Sequence, residues 1–173
     1  DFAERVLGKG VVIAKDVPGF IANRLGIYGM TRTLRLMEEF DLTIDEVDAL
    51  TGPLIGRAKS ATFRTGDISG IDVLSHVATG TGATTGEDFA LPSWVGALVA
   101  SGRLGEKTGA GFYKKDKKEI LTLDWKTLDY RPQQKVRFPE QAFLEEAPLH
   151  QRLRAFTTAC GTHAEFARTL LLT

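Results

Sequence analysis

The sequence predicts a mainly α protein, a bundle of helices running from about residue 17 to residue 113. Three observations carry that expectation. Apolar residues recur at three- and four-residue steps between Phe20 and Met37, the spacing of one helix face. Thr43-Ile44-Asp45-Glu46 has the form of a capping box, in which a hydroxyl and a carboxylate satisfy reciprocal backbone donors. Proline and glycine punctuate the chain where helices start and stop, at Gly52-Pro53, Pro92 and Gly102.

Taken in order, residues 1–9 read as a helix end, with Phe2, Val6 and Leu7 on one side and Gly8 as a stop. Val11-Val12-Ile13-Ala14 is β-branched and apolar, the mark of a buried strand whose sheet lies elsewhere. Pro18 then pre-sets a helical φ, and Asp16 offers a carboxylate to the first-turn amides. The helix runs to about Phe40, and Phe20, Ile21, Leu25, Tyr28, Leu34, Leu36 and Met37 supply its buried side. Gly26 and Gly29, three apart, predict a close-packed neighbouring helix. A helix from Thr43 to about Thr51 follows, with Leu42 and Val47 placed as a hydrophobic staple.

Residues 56–67 read as a loop and then a short helix. Another short helix covers Ile71 to about Val77, and from Gly80 a Gly/Thr-rich surface loop reaches Asp88. A helix opening at Pro92 or Ser93 stops near Gly102. Gly105, Gly109 and Gly111 make a tight, irregular turn that Phe112 and Tyr113 anchor to the core. Residues 114–150 hold Pro132, Pro139 and Pro148 with little periodicity and read as an extended linker, the run Lys114-Lys115-Asp116-Lys117-Lys118 being solvated. Helical spacing returns over 151–172.

Composition narrows the function. The 22 basic and 22 acidic residues cancel, which argues against a nucleic-acid platform, and 43% hydrophobic content supports a real core. Cys160 stands alone, so neither an internal disulfide nor a cysteine metal site is expected. With no apolar run of membrane length, a cytoplasmic protein without a membrane partner is expected. The chain lacks an initiator Met and stops within an apolar helical pattern, as an excised fragment would. His76, His150 and His163 are too scattered for metal-ligand spacing. Trp94 and Trp125 read as core or contact aromatics, and Arg24 as a salt-bridging residue.

Asn23 lies among apolar neighbours in the first turns of the long helix. It is either a structural amide bonded to a neighbouring element or an amide lining a cleft. Here the string Asp16-Val17-Pro18-Gly19-Phe20-Ile21-Ala22-Asn23-Arg24-Leu25 resembles the segment that opens the C-terminal helical domain of 3-hydroxyacyl-CoA dehydrogenases. Residues 105–113, Gly-Glu-Lys-Thr-Gly-Ala-Gly-Phe-Tyr, resemble the segment that closes it. The likeness extends from about Gly8 to Tyr113.

The resemblance implies a helical bundle of the 6-phosphogluconate-dehydrogenase C-terminal-domain-like type. Residues 1–16 would end a nucleotide-binding domain, and 17–113 would form the substrate-binding and dimerisation domain. Residues 114–150 would be a linker and 151–173 the start of a second helical repeat. The whole enzyme would be a homodimer that oxidises 3-hydroxyacyl-CoA to 3-oxoacyl-CoA with NAD in fatty-acid β-oxidation. In that family the catalytic His and its Glu lie in the nucleotide-binding domain, so this chain alone is expected to be inactive. No glycine-rich dinucleotide turn is present here, so no residue of this chain is expected to bind NAD.

Asn23 then corresponds to the family's cleft asparagine, near the substrate 3-oxygen, where its amide can donate to developing charge. Arg57, Lys59 and Thr62 belong to a basic, polar cluster that departs from the more apolar segment of small family members. All three read as substrate-binding, Arg57 and Lys59 toward a CoA phosphate or cofactor, or else as part of a solvated or interdomain salt-bridging segment. Two other readings of the whole remain: a helical association domain without catalysis, and a dehydrogenase of another hydroxy acid.

Overall fold

The computed structural model describes residues 2–17, 19–136, 138 and 147–172. It is mainly α, with a short helix α1 (Phe2–Arg5), the long α2 (Phe20–Glu39) and α3 (Ile44–Thr51) leading. A 3-10 turn at Pro53–Ile55 is followed by α4 (Phe63–Ser69), α5 (Ile71–Thr85) and α6 (Ser93–Ala100). A three-stranded antiparallel sheet comes next, in the order β1 (Tyr113–Asp116), β2 (Glu119–Leu123), β3 (Tyr130–Pro132). Helices α7 (Leu149–Thr158) and α8 (Thr162–Leu172) close the chain.

The capping box forms as expected: the Glu46 amide donates to the Thr43 hydroxyl at 3.3 Å, and the Thr43 amide donates to the Glu46 carboxylate at 2.8 Å. Pro92 caps α6, and Gly102 follows its end in a left-handed conformation. The main core joins Leu34, Leu36 and Met37 of α2 to Ile44, Val47 and Leu50 of α3, Phe63 of α4, Leu98 of α6, Phe112 and Leu123. Trp94 meets Phe112 edge-on at 5.9 Å, as a core aromatic should.

Several expectations change. Val11, Val12 and Ile13 form no strand and are 48%, 77% and 95% exposed, because among the described residues no strand lies alongside to pair with them. Helix α2 begins at Phe20 behind a left-handed Gly19, with no cap from Asp16; Pro18 lies outside the described residues. Its first two turns are not buried: Phe20 is 79% and Leu25 66% exposed, and Ile21 and Tyr28 are also exposed. Burial starts at Ile27, which packs on Ala78 and Phe89. Among the described residues nothing lies within 4 Å of a would-be Cβ at Gly26, and one at Gly29 meets the Arg57 guanidinium rather than a neighbouring helix.

The Gly/Thr-rich stretch from Gly80 is not a loop. Helix α5 runs through it to Thr85 and stops at left-handed Gly86. Ala78 and Thr81 are buried, and the hydroxyls of Thr79, Thr84 and Thr85 donate to carbonyls four residues back.

Residues 114–132, expected as the start of a linker, fold back together with Tyr113 as the sheet. The buried Thr122 donates to Asp45 at 2.8 Å, and Arg131 pairs with the same carboxylate at 2.7 Å, tying β2 and β3 to α3. Pro139 lies outside the described residues. Helical spacing over 151–172 resolves into two helices broken at Ala159–Gly161, and they pack on the bundle. Phe166 is fully buried and meets Phe40 edge-on at 6.1 Å, while Arg152 donates to the Pro53 carbonyl at 2.5 Å.

Candidate functional site

Helix α2 presents Asn23, Gly26 and Met30 along one face, since positions three and seven apart line up on a helix. Asn23 is exposed and has no hydrogen-bond partner among the described residues. Within the described residues it is thus not bonded to a neighbouring element. One turn on, a cavity of about 290 Å³ is walled by Leu25, Gly26 and Met30 on the helix and by Arg57, Ala61 and Thr62 opposite. The missing side chains of Gly26 and Gly29 leave room for it, and the Arg57 guanidinium reaches to 4.0 Å from where a Gly29 Cβ would stand.

The structure thus brings Arg57 and Thr62 to one cavity on the Asn23 face. Lys59 is not with them; it lines the other side of the 57–65 segment. Thr62 is buried and its hydroxyl donates to Thr51 at 2.8 Å, so it shapes the wall. Arg24 pairs with Glu87, as the sequence suggested. Arg57 and Lys59 are exposed and have no ion pair among the described residues.

The wall is held by a residue the sequence reading did not single out. Asp48 of α3 accepts the amides of Thr62, Phe63 and Arg64 at 3.0, 2.7 and 3.3 Å, capping α4 from a different helix. Tyr113 donates its hydroxyl to the same carboxylate at 2.8 Å. Burial pushes Asp48 up to about 6 even though these donors favour its charged form. Asp67 on α4 accepts the amides of Phe112 and Tyr113, both at 2.8 Å, and burial likewise pushes it up to about 6. The Tyr113 phenol is raised by burial and by the adjacent Asp48.

This clamp explains the glycine pattern ahead of Phe112. A Cβ at Gly111 would stand 2.1 Å from the Asp67 carboxylate, and one at Gly105 2.3 Å from the Asp67 carbonyl oxygen. Gly105 also holds φ 101°, which favours glycine. The glycines were the only sequence signal of a close approach, and they do not say which residue approaches.

No histidine lines the cavity beside Asn23. His76 is an exposed residue of α5, and His150 lies in the first turn of α7 rather than in a linker. His163 of α8 meets Glu46 at 3.0 Å, fixing the last helix to the capping box. Burial raises Glu46, but the hydrogen bonds from Thr43 and His163 outweigh it and hold the carboxyl below its ordinary range. The residues of this chain do not fit a dinucleotide. The described part has no strand leading through a glycine turn into a helix, and the backbone of Gly80–Thr85 lies within α5.

A sequence model of the 3-hydroxyacyl-CoA dehydrogenase C-terminal domain matches residues 19–115. The chain belongs to the 3-hydroxyacyl-CoA dehydrogenase C-terminal domain family. It is 59% identical over 121 residues to a probable 3-hydroxyacyl-CoA dehydrogenase of Deinococcus radiodurans, covering 69% of this chain and 35% of that protein. A probable 3-hydroxyacyl-CoA dehydrogenase of Bacillus subtilis is 48% identical over 142 residues, covering 80% and 18%. The human mitochondrial hydroxyacyl-coenzyme A dehydrogenase is 35% identical over 117 residues, covering 66% and 36%.

Among solved structures, M. tuberculosis FadB2 matches with a TM-score of 0.56 at 32% identity, over 66% of this chain and 40% of that one. The chain therefore spans about a third or less of the curated relatives it matches. The match to residues 19–115 takes in both Asn23 and the Asp48–Asp67–Tyr113 clamp. Among the described residues of this family member, no helix is long and apolar enough to cross a membrane.

Proposed function

We propose that this chain is the substrate-binding and dimerisation part of an enzyme that oxidises 3-hydroxyacyl-CoA to 3-oxoacyl-CoA with NAD. The single observation that carries the reading is the α2 face on which exposed, unbonded Asn23 stands one turn above the cavity closed by Arg57. An amide so placed is free to donate to a substrate oxygen as charge develops on it. Arg57 is free to pair with a CoA phosphate, whereas Lys59 lies across the 57–65 segment from this cavity.

NAD and the general base belong to the rest of the full-length protein, so the 173-residue chain alone does not turn over substrate. The exposed Phe20, Ile21 and Leu25 are the apolar surface that the nucleotide-binding domain and a second subunit would cover.

The test is NAD-linked oxidation of 3-hydroxybutyryl-CoA by the full-length protein, with Asn23→Ala beside the wild type. Turnover falls steeply in the variant while its circular dichroism stays unchanged. Full activity in Asn23→Ala would remove Asn23 from the cleft. An inactive wild type would favour the association-domain reading or another hydroxy-acid substrate.

A further inference from the structure

A second groove lies across the 57–65 segment from the Asn23 face. Its two parts, of about 580 and 430 Å³, share Arg64, Glu106 and Tyr113. Lys115 and Lys118 line the larger part and Lys59 the smaller. These three lysines have no acidic partner among the described residues, and Arg64 meets Glu106 only at 3.7 Å.

The hairpin sorts its charges by face. Side chains alternate along a strand and directly paired residues share a face. Tyr113 and Lys115 of β1 therefore stand with Ile120, the cross-strand partner of Lys115. Lys114, Asp116 and Glu119 take the opposite face, and Asp116 pairs directly with Glu119. Lys114 lies over the Tyr130 ring at 5.6 Å, which fixes that assignment. A run that looks self-neutralising in sequence thus turns a lysine toward the groove and its acids away. Asp48 and Asp67 border the groove, but their oxygens are taken up by five backbone amides and the Tyr113 hydroxyl. Glu106 is left as the one outward acid against Lys59, Arg64, Lys115 and Lys118. In a chain of zero net charge such an excess is local.

We propose that this groove binds a phosphate ester carried on a nucleoside-sized body. The cations supply the phosphate contacts. Ile68 and Ile120, 58% and 40% exposed, give each part an apolar floor for the uncharged portion. Volumes of this size accommodate small ligands. The proposal does not depend on the dehydrogenase reading.

The test is lysine acetylation footprinting of the full-length protein, read by mass spectrometry, with adenosine 3′,5′-bisphosphate and with pyrophosphate as probes. Lys59, Lys115 and Lys118 become protected, whereas Lys114 does not, and added salt removes the protection. Protection by the bisphosphate alone shows that the nucleoside body is needed. Equal protection by both overturns the nucleoside-sized body, because phosphate alone then suffices. A Lys115→Ala/Lys118→Ala double variant binds at least about tenfold more weakly, since both of its charge-assisted phosphate contacts are lost, while Lys114→Ala binds as wild type.

The source of the phosphate is read separately. A higher KM for 3-hydroxybutyryl-CoA in the double variant, at unchanged kcat, assigns it to the nucleotide end of the acyl-CoA; an unchanged KM assigns it to a separate phosphorylated ligand. No protection by either probe, or equal protection of Lys114, overturns the proposal. Because footprinting needs no turnover, an inactive enzyme leaves the result intact.

Discussion

The Tyr113 hydroxyl donates to the Asp48 carboxylate at 2.8 Å, across 65 residues of sequence. That bond joins the end of the family's closing glycine motif to the residue that caps α4. Asp48 carries four donors in all, three of them backbone amides with no partner inside their own helix. Tyr113→Phe removes one bond to a charged acceptor and is expected to cost about 1–3 kcal/mol in urea unfolding. Asp48→Ala strands the three amides and costs more than Tyr113→Phe. Equal losses in the two variants would show that the amides find water instead.

Asp48 and Asp67 both have carboxyls raised by burial to about 6, against 3.8 without it. The folded chain then binds more protons than the unfolded one between those values. The stability this contributes is full below about pH 4 and is lost as pH rises through 6. Each group changes stability by at most about 1.4 kcal/mol per pH unit. Glu46, held below its ordinary range, acts with opposite sign, losing stability only as pH falls beneath that range. The urea midpoint is therefore expected to be higher at pH 5.5 than at pH 7.5, and Asp48→Asn should flatten the difference. A midpoint that climbs toward pH 7.5 would contradict the raised carboxyls.

Gly26 stands mid-helix with nothing within 4 Å of a would-be Cβ. Gly26→Ala is expected to stabilise the protein by about 0.5–1 kcal/mol through helix propensity alone. Gly26→Leu projects into the cavity closed by Arg57, so it should raise KM for 3-hydroxybutyryl-CoA and leave Tm nearly unchanged. A large fall in Tm would return Gly26 to the close-packing role that its spacing suggests.

Gly111→Ala sets a methyl against the Asp67 carboxylate at a distance no pair of atoms tolerates. The clamp must open, and the cost should be at least about 1–3 kcal/mol. A circular-dichroism melt that leaves the variant at wild-type Tm would show that the glycine turn can shift as a body.

Local signals were legible in the sequence and non-local ones were not. The Thr43–Glu46 box and the Pro92 start need only neighbouring residues, and both are where the sequence places them. The sequence ends this helix near Val77, ahead of Gly80, because glycine weakens a helix by about 1 kcal/mol; burial of Ala78 and Thr81 outweighs that and is invisible to propensity. The sheet escaped because the residue that holds it, Thr122, is a polar side chain satisfied by Asp45, 77 residues away. For the site, the motif around Asn23 was readable, and its neighbour across the cavity, Arg57, was singled out from charge. The periodicity of Phe20, Ile21 and Leu25 marks an apolar face without saying that this chain leaves it uncovered.

The last helices raise the question of whether residues 149–172 open a second repeat or complete the first bundle. Phe166 is fully buried against Phe40, and His163 reaches the Glu46 carboxylate that caps α3. Leu149 lies so near Gly56 that a Cβ there would come within 3.0 Å of its methyl. These contacts span α2, α3 and the 3-10 turn, so they should melt together with the bundle. Phe166→Ala is expected to cost about 3–5 kcal/mol and to lower the single transition seen by Trp94 and Trp125 fluorescence. A separate low-temperature transition, with the tryptophan signal unmoved, would instead mark residues 149–172 as a unit that folds independently of the bundle.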